Sequence, residues 1–502
     1  MDCLVTLDAG TGSGRCMVLD LHGRPVASAQ EPLHYRLVVD PDMPMIRGFD
    51  LDAAAFWGTL ARCARAALGR LPADARVRGV IATSQREGCV FSDRDGEVLY
   101  AGPNLDARAA MEGIEAQEVI AQERLHAITG HVPPYIFALP RLLWFRKHGD
   151  FARIATVFML NDWITFRLSG ARVAEHSNAG ETMLYDVSRR EWSREILDAF
   201  AIPAALLPRL VPAGTEVGRV TARAAAETGL PEGTPVFAGG ADTESALLGS
   251  GAWHAGRVGA VLGTTAPVQM VTDWPVIDPA GSLWTSPHVV AGQWVLEANS
   301  GDTGDGYKWL LDVLFGGTDA AAFAAAEAAI ATVGADARRV FSYLGPLVFA
   351  PTKMTPFRPA GLLFPFPILH VDRPNRGELM VGFLENVAFA IRANVELVTT
   401  VSGLAPTALD VSGGLTRSKT LARRIASAVK LPVDVATVVE TASVGCAILA
   451  AVGAGLHPSI ADAVAAMTSS TRIDPDPVLE VVQDERYAKW REIYEQLYAI
   501  QV

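Results

Sequence analysis

The chain opens on short apolar runs that end abruptly in polar, glycine-rich stops. "CLVTL" and "CMVL" flank Asp8, Gly10, Thr11, Gly12, Ser13 and Gly14. This pattern predicts two strands of a β-hairpin around a glycine-rich turn. The "HGRP" turn then leads into a third antiparallel strand. Apolar positions at 3–4 spacing predict a helix over about residues 51–71, and "VRGVIATS" predicts a strand ending just before Gln85. "DRDGEVLY" reads as a further hairpin with Asp-Gly at its turn. Residues 107–170 read as mainly helical, and "LPEGTPVFAGGAD" as a turn, a short strand and another glycine-rich stop.

The design then recurs. "RVGAVLGTTAPVQMVT" is again strand, Gly-Thr turn and strand, so that Gly263-Thr264 echoes Gly10-Thr11 half a chain later. A long helix is predicted over "LMVGFLENVAFAIRANVELV", followed by a strand "ALDVSGG", a helix over about 417–429 and an Ala-rich helix after Ser443. The spacing predicts two similar α/β domains, residues 1–246 and 247–502.

At 502 residues the chain is too long for one simple core. A formal net charge of −12 argues against a nucleic-acid partner, whose footprint is basic. No Lys/Arg block suits an anionic membrane surface. The longest apolar stretch, Val444 to Leu456, falls short of the roughly 20 residues that span a bilayer. The five cysteines, Cys3, Cys16, Cys63, Cys89 and Cys446, are scattered without metal-ligand spacing and read as buried thiols in a reducing compartment. The expected location is the cytoplasm.

A plain hairpin needs one or two glycines. The surplus between Asp8 and Arg15 suggests a phosphate held close to main-chain N–H groups. Asp8, at the strand end, could order Mg²⁺ beside a phosphate chain, while Thr11 and Ser13 donate to phosphate oxygens and Arg15 neutralises charge. An Asx-type turn in a surface hairpin is the plainer alternative. Asp242 follows Gly239-Gly240 at a strand–helix junction. It reads either as a helix N-cap or as a carboxylate able to take a proton from a substrate hydroxyl. In "SQREG", Arg86 and Glu87 could hydrogen-bond a small polyol or form a solvated turn. Asn104, Asp106 and Arg108 in "GPNLDARA" could line the same pocket or start a helix. Gly413-Gly414 after "DVS" would let a ribose or flat ring lie against the backbone. Histidines do not cluster with carboxylates, which gives a hydrolytic triad or zinc site little support.

Taken in order, these residues resemble the FGGY carbohydrate kinases over nearly the whole chain. "DAGTGSGR" is similar to the family's first phosphate loop and "SQREG" to its sugar-binding turn. "LPRLLWFRKH" resembles its Pro-Lys-Leu-x-Trp region, with Arg141 replacing the usual lysine. "NDWITFRLSG" with "SNAGETMLYD", then "GGAD" and "LGTTA", follow the family's order. So do "LENVAFAIR", "VSGGLTRS" and "ETASVGCAILAAVGAG". The resemblance implies an α/β fold of two RNase H-like (actin/hexokinase-like) domains, with ATP·Mg²⁺ and a small sugar in a central cleft. It implies Asp242 as the catalytic base, touching substrate and metal, and Asp8 as a metal-ordering group. Thr11, Gly12, Ser13, Arg15, Gly263, Thr264 and Thr265 would hold phosphates, Gly413 and Gly414 would border adenosine, and Arg86, Glu87 and Asn104 would bind substrate. Three departures stand out. Gly12 replaces a hydroxyl residue, Asn104 stands where several members carry tryptophan, and the Gly-Glu-Arg-x-Pro segment reads "APTKMTPFRPAG".

The expected reaction is transfer of the ATP γ-phosphate to a hydroxyl of a small ketose, with xylulose-type pentuloses ranked first. The alternative within the family is an autoinducer-2 kinase acting on a linear five-carbon dione, which "NLDARAA" and "SNAG" favour. Glycerol is disfavoured because Asn104 supplies no aromatic wall. A non-catalytic sugar or nucleotide sensor would need neither Asp8 nor Asp242, and an actin-like filament protein would not need "SQREG". A homodimer remains open beside a monomer.

Overall fold

The computed structural model describes residues 1–39, 41, 43–334, 339–353, 359–364 and 373–500. The "APTKMTPFRPAG" departure therefore lies partly outside the described residues. The chain forms two compact units. The first comprises Met1–His254, Val271–Val295 and Glu440–Ser469; the second comprises Ala255–Met270, Leu296–Val439 and Ser470–Val502.

The first unit is built on a six-stranded sheet in the order Glu216–Arg219, Pro235–Phe237, Arg76–Ser84, Asp2–Ala9, Ser13–Asp20, Pro25–Pro32. The opening hairpin is antiparallel, with Ala9 opposite Gly14 and Asp8 opposite Arg15. On its other side, Asp2–Ala9 runs parallel to Arg76–Ser84. Strands buried on both faces read as continuous apolar runs, and Cys3–Ala9 is buried throughout. Helix Ala53–Leu68 covers one face with Phe56, Trp57, Leu60, Cys63, Ala64 and Ala67. Its start is fixed by Asp52, whose carboxylate accepts from the Ala54 and Ala55 N–H groups, both at 2.9 Å. A second core, including Phe91, Phe137, Leu139, Leu142 and Leu184, gathers the helical stretch after residue 107. All five cysteines are buried free thiols.

The second unit repeats the sheet. Six of the seven strands of its sheet run Trp294–Asp302, Thr265–Thr272, Val258–Val261, Leu409–Ser412, Val433–Ala436, Ser470–Ile473. From the Gly263 hairpin outward the pairings are antiparallel, parallel, parallel and antiparallel. The first unit has the same succession from its own hairpin. The echo between Gly10-Thr11 and Gly263-Thr264 is thus an architectural duplication.

Helix Thr441–Gly453 belongs to the first unit although it lies late in the sequence. It crosses helix Asp242–Ser250 through two glycines. A Cβ on Gly445 would sit 1.9 Å from the Ser245 carbonyl, and one on Gly249 would sit 2.0 Å from that of Thr441. Only hydrogen at both positions permits so close a crossing. Among the described residues no single helix is long and apolar enough to cross a membrane.

Candidate active site

Three strand ends lie side by side in the first unit. Asp8 pairs with Thr83 and Ala9 with Ser84 in parallel register, and Ser84 bridges in parallel to Ala241. The chain leaves this one edge three times, into the Gly10–Gly14 turn, into Gln85-Arg86-Glu87 and into Asp242. The carboxyl ends of parallel strands are where open α/β sheets bind ligands, because the diverging loops leave room there.

The first loop is open. A Cβ on Gly12 would meet nothing within 4 Å, and one on Gly10 would make only an ordinary 3.8 Å contact. Gly14 alone is accounted for by packing, with Leu60 3.0 Å from an added Cβ. The protein's own interior therefore does not explain Gly10 and Gly12. Asp8 is buried beside Arg15 at 3.2 Å, and Arg15 also pairs with Glu440. Burial raises the Asp8 carboxyl to about 6; Arg15 offsets only part of this and Glu440 adds to it. Ser13 accepts from Gln30 at 2.8 Å, and Asn104 donates to Thr11 Oγ1 at 2.9 Å. The Gln85 side chain links the loops, accepting from the Asn104 N–H at 2.9 Å. Asn104 Oδ1 is buried with no hydrogen-bond partner among the described residues.

Arg86 is buried close to carboxylates, 4.0 Å from Glu87, 3.7 Å from Glu181 and 3.8 Å from Glu244. Glu181 in turn accepts from Ser286 Oγ at 2.8 Å and lies 3.3 Å from His131 Nε2. Burial alone would raise the Glu181 carboxyl, but His131 and Arg86 more than reverse this and hold it below the ordinary range. His131 moves the opposite way: burial disfavours its cation, and Glu181 overcomes that. This burial excludes a solvated "SQREG" turn.

Glu87 adopts a left-handed backbone with φ 57°, costly for a residue with a Cβ. Arg141, fully buried, donates to the Glu87 carbonyl at 2.8 Å, to that of Pro103 at 2.8 Å and to that of Asp106 at 2.9 Å. Arg141 thus ties the Arg86-Glu87 turn to the Asn104 loop. Its planar fork suits several carbonyls at once.

Asp242 is the first residue of its helix. The N-cap is Ala241, whose methyl side chain makes no cap bond. The N-cap alternative therefore does not describe Asp242. In the second unit the two remaining glycine loops also leave adjacent strand ends, since Val261 pairs with Ser412. Gly413, at φ 96°, would place a Cβ 2.6 Å from the Leu262 carbonyl, whereas Gly414 has open space. The Thr264 carbonyl accepts from the Gly304 N–H at 3.0 Å, which seats the Gly263–Thr265 turn against the start of helix Gly304–Phe315.

The sequence reading missed Glu181, Glu244, His131 and Ser286. Glu244 could have been found two residues after Asp242. His131 and Ser286 carry no local signal, because only the fold brings them to Glu181. Among the described residues no group of three His, Cys, Asp or Glu side chains could hold a metal ion. One or two carboxylates with phosphate oxygens suffice for Mg²⁺, so Asp8 beside the open loop fits that role.

Residues 3–249 match the N-terminal domain of the FGGY family of carbohydrate kinases, and residues 258–454 match its C-terminal domain. An autoinducer-2 kinase from Escherichia coli (strain SMS-3-5 / SECEC) is 32% identical over 98% of this chain and 94% of its own. One from Klebsiella pneumoniae is 33% identical with the same coverage. The crystal structure of xylulose kinase from Rhodospirillum rubrum is 27% identical, with a TM-score of 0.84 over 99% of both chains.

Proposed function

Because the chain belongs to the FGGY family of carbohydrate kinases and is a phosphotransferase acting on a sugar hydroxyl, we propose that its acceptor is a small acyclic carbonyl polyol. The autoinducer-2 type of acceptor, a linear five-carbon dione, takes first place over a xylulose-type ketose. This reverses the order reached from sequence alone; the 32–33% relatives support the reversal. The observation that carries the kinase site is the shared edge at which Asp8, Arg86 and Asp242 leave adjacent parallel strands.

In this reading Asp242 accepts the proton of the attacking hydroxyl, a step that contributes on the order of 10²–10⁴-fold. Arg86 and Glu87 hydrogen-bond the acceptor's oxygens, and Asn104 turns its free Oδ1 to the same ligand. Thr11, Gly12, Ser13 and Arg15 receive phosphate oxygens at the open first loop. Gly263, Thr264 and Thr265 do so in the second unit, where Gly413 and Gly414 border the nucleoside. Asp8, with Asp242, would hold Mg²⁺, which when bound neutralises phosphate charge. Positioning and charge stabilisation dominate phosphoryl transfer, which suits a site of fixed loops rather than a covalent nucleophile.

The test is an ADP-release assay on purified protein with an autoinducer-2 precursor, D-xylulose and glycerol as acceptors. The expected result is the highest kcat/KM for the autoinducer-2 precursor. A higher value for D-xylulose would return the ketose to first place, and no turnover with any small carbonyl polyol would remove the proposal.

A further inference from the structure

The turn before Asp242 is held by buried side chains from three separate stretches. The peptide joining Gly240 to Ala241 is gripped at both ends: its carbonyl accepts from Thr83 Oγ1 at 2.7 Å, and its N–H donates to Ser177 Oγ at 2.9 Å. The carbonyl of the preceding peptide, Gly239, accepts from Asn161 Nδ2 at 2.5 Å. Ser177 is itself oriented, because its hydroxyl donates to Glu175 Oε2 at 2.5 Å and so turns a lone pair to Ala241. Thr83, Asn161 and Ser177 are completely buried.

The two glycines make this grip possible. A Cβ on Gly239 would fall 1.9 Å from the Ala82 carbonyl, and one on Gly240 would fall 2.7 Å from Ser177 Oγ. Hydrogen at both positions lets the turn press against its neighbours. The grip also gives a role to Asn161 of "NDW" and Ser177 of "SNAG". Asn161 comes from helix Leu160–Ser169, and Ser177 from the short helix His176–Gly180.

We propose that Thr83 and Ser177 are positioning residues that fix the approach of Asp242 to the acceptor hydroxyl through the Gly240–Ala241 peptide. This rests on Asp242 being the base. A carboxylate must stand within hydrogen-bond reach of the proton it takes, and displacement by about 1 Å can cost on the order of 10²-fold in rate. Neither side chain needs to touch the acceptor.

The experiment is a double-mutant cycle on the full chain. Ser177→Ala and Thr83→Val should each lower kcat by roughly 10- to 100-fold, with KM for ATP unchanged, and Thr83→Ser should retain most of the rate. In an Asp242→Asn background the same two changes should each cost less than about two-fold, because the group they position is gone. An equal loss in both backgrounds would mean a general structural effect and overturn the proposal, as would full kcat in either single variant. If Ser177→Ala does not fold, Thr83→Val tests the other end of the same peptide. Near-normal turnover of Asp242→Asn alone would instead remove the base itself.

Discussion

Arg86 offers the most decisive perturbation, because the proposed acceptor-binding role and the buried ion pairs meet in one side chain. Its side chain is 8% exposed, and those of Glu181 and Glu244 are fully buried at 3.7 and 3.8 Å. Arg86→Ala leaves those carboxylates without the guanidinium. Breaking a buried ion pair by removing one partner costs about 3–5 kcal/mol. For a unit of this size that corresponds to a fall in Tm of roughly 5–8 °C. Arg86→Lys keeps a charge near Glu181 and Glu244 but loses the planar fork, so its Tm should fall much less. Both variants should raise KM for the acceptor by about 10- to 100-fold, the worth of a hydrogen bond to a charged group, while KM for ATP changes little. Calorimetry gives Tm, and the ADP-release assay with each substrate varied in turn gives the two KM values. Arg86→Lys with an ordinary acceptor KM, or with equal rises for acceptor and ATP, would refute the binding role. Arg86→Ala with an unchanged Tm would refute the electrostatic account.

Asp242→Asn should lower kcat by about 10²-fold or more with Tm near that of the unmodified protein, since asparagine keeps the shape of the side chain but not its proton acceptor; a marked fall in Tm would mark it as structural. Burial raises the Glu175 carboxyl to about 7 from an ordinary 4.5, so the folded state holds a proton that the unfolded state has released. The stability this gives is full below about pH 4.5 and is lost as pH rises through about 7, on the order of 3 kcal/mol in all. Glu175→Gln should therefore match the unmodified protein near pH 4.5 and exceed its Tm at pH 8; parallel Tm curves would contradict this. Gly445→Ala should destabilise by roughly 1–3 kcal/mol through overpacking against Ser245, read as a lower Tm. Gly12→Ala should leave Tm unchanged and raise KM for ATP, and an unaltered KM would mean that phosphate does not approach that loop.

Much of this was legible in the chain because it is local. Strand Arg76–Ser84, the opening hairpin and helix Ala53–Leu68 follow from apolar periodicity and turn residues, which act over a few neighbours. The recurrence of a Gly-Thr hairpin announced the duplicated sheet, since the same short pattern rebuilds the same pairing. Asp8, Arg86 and Asp242 were marked by abrupt stops after strands. Their common edge was decided by register, which depends on residues far apart in sequence. The surroundings of Arg86 were decided by packing: Glu181 approaches it from a distant stretch, and His131 and Ser286 reach Glu181 from two others. The same holds for Gly249 and Gly445, whose need for hydrogen appears only once two distant helices cross. Local sequence sets which residues end strands and turn chains. Which of them then face one another is set by the burial of surfaces that no short window contains.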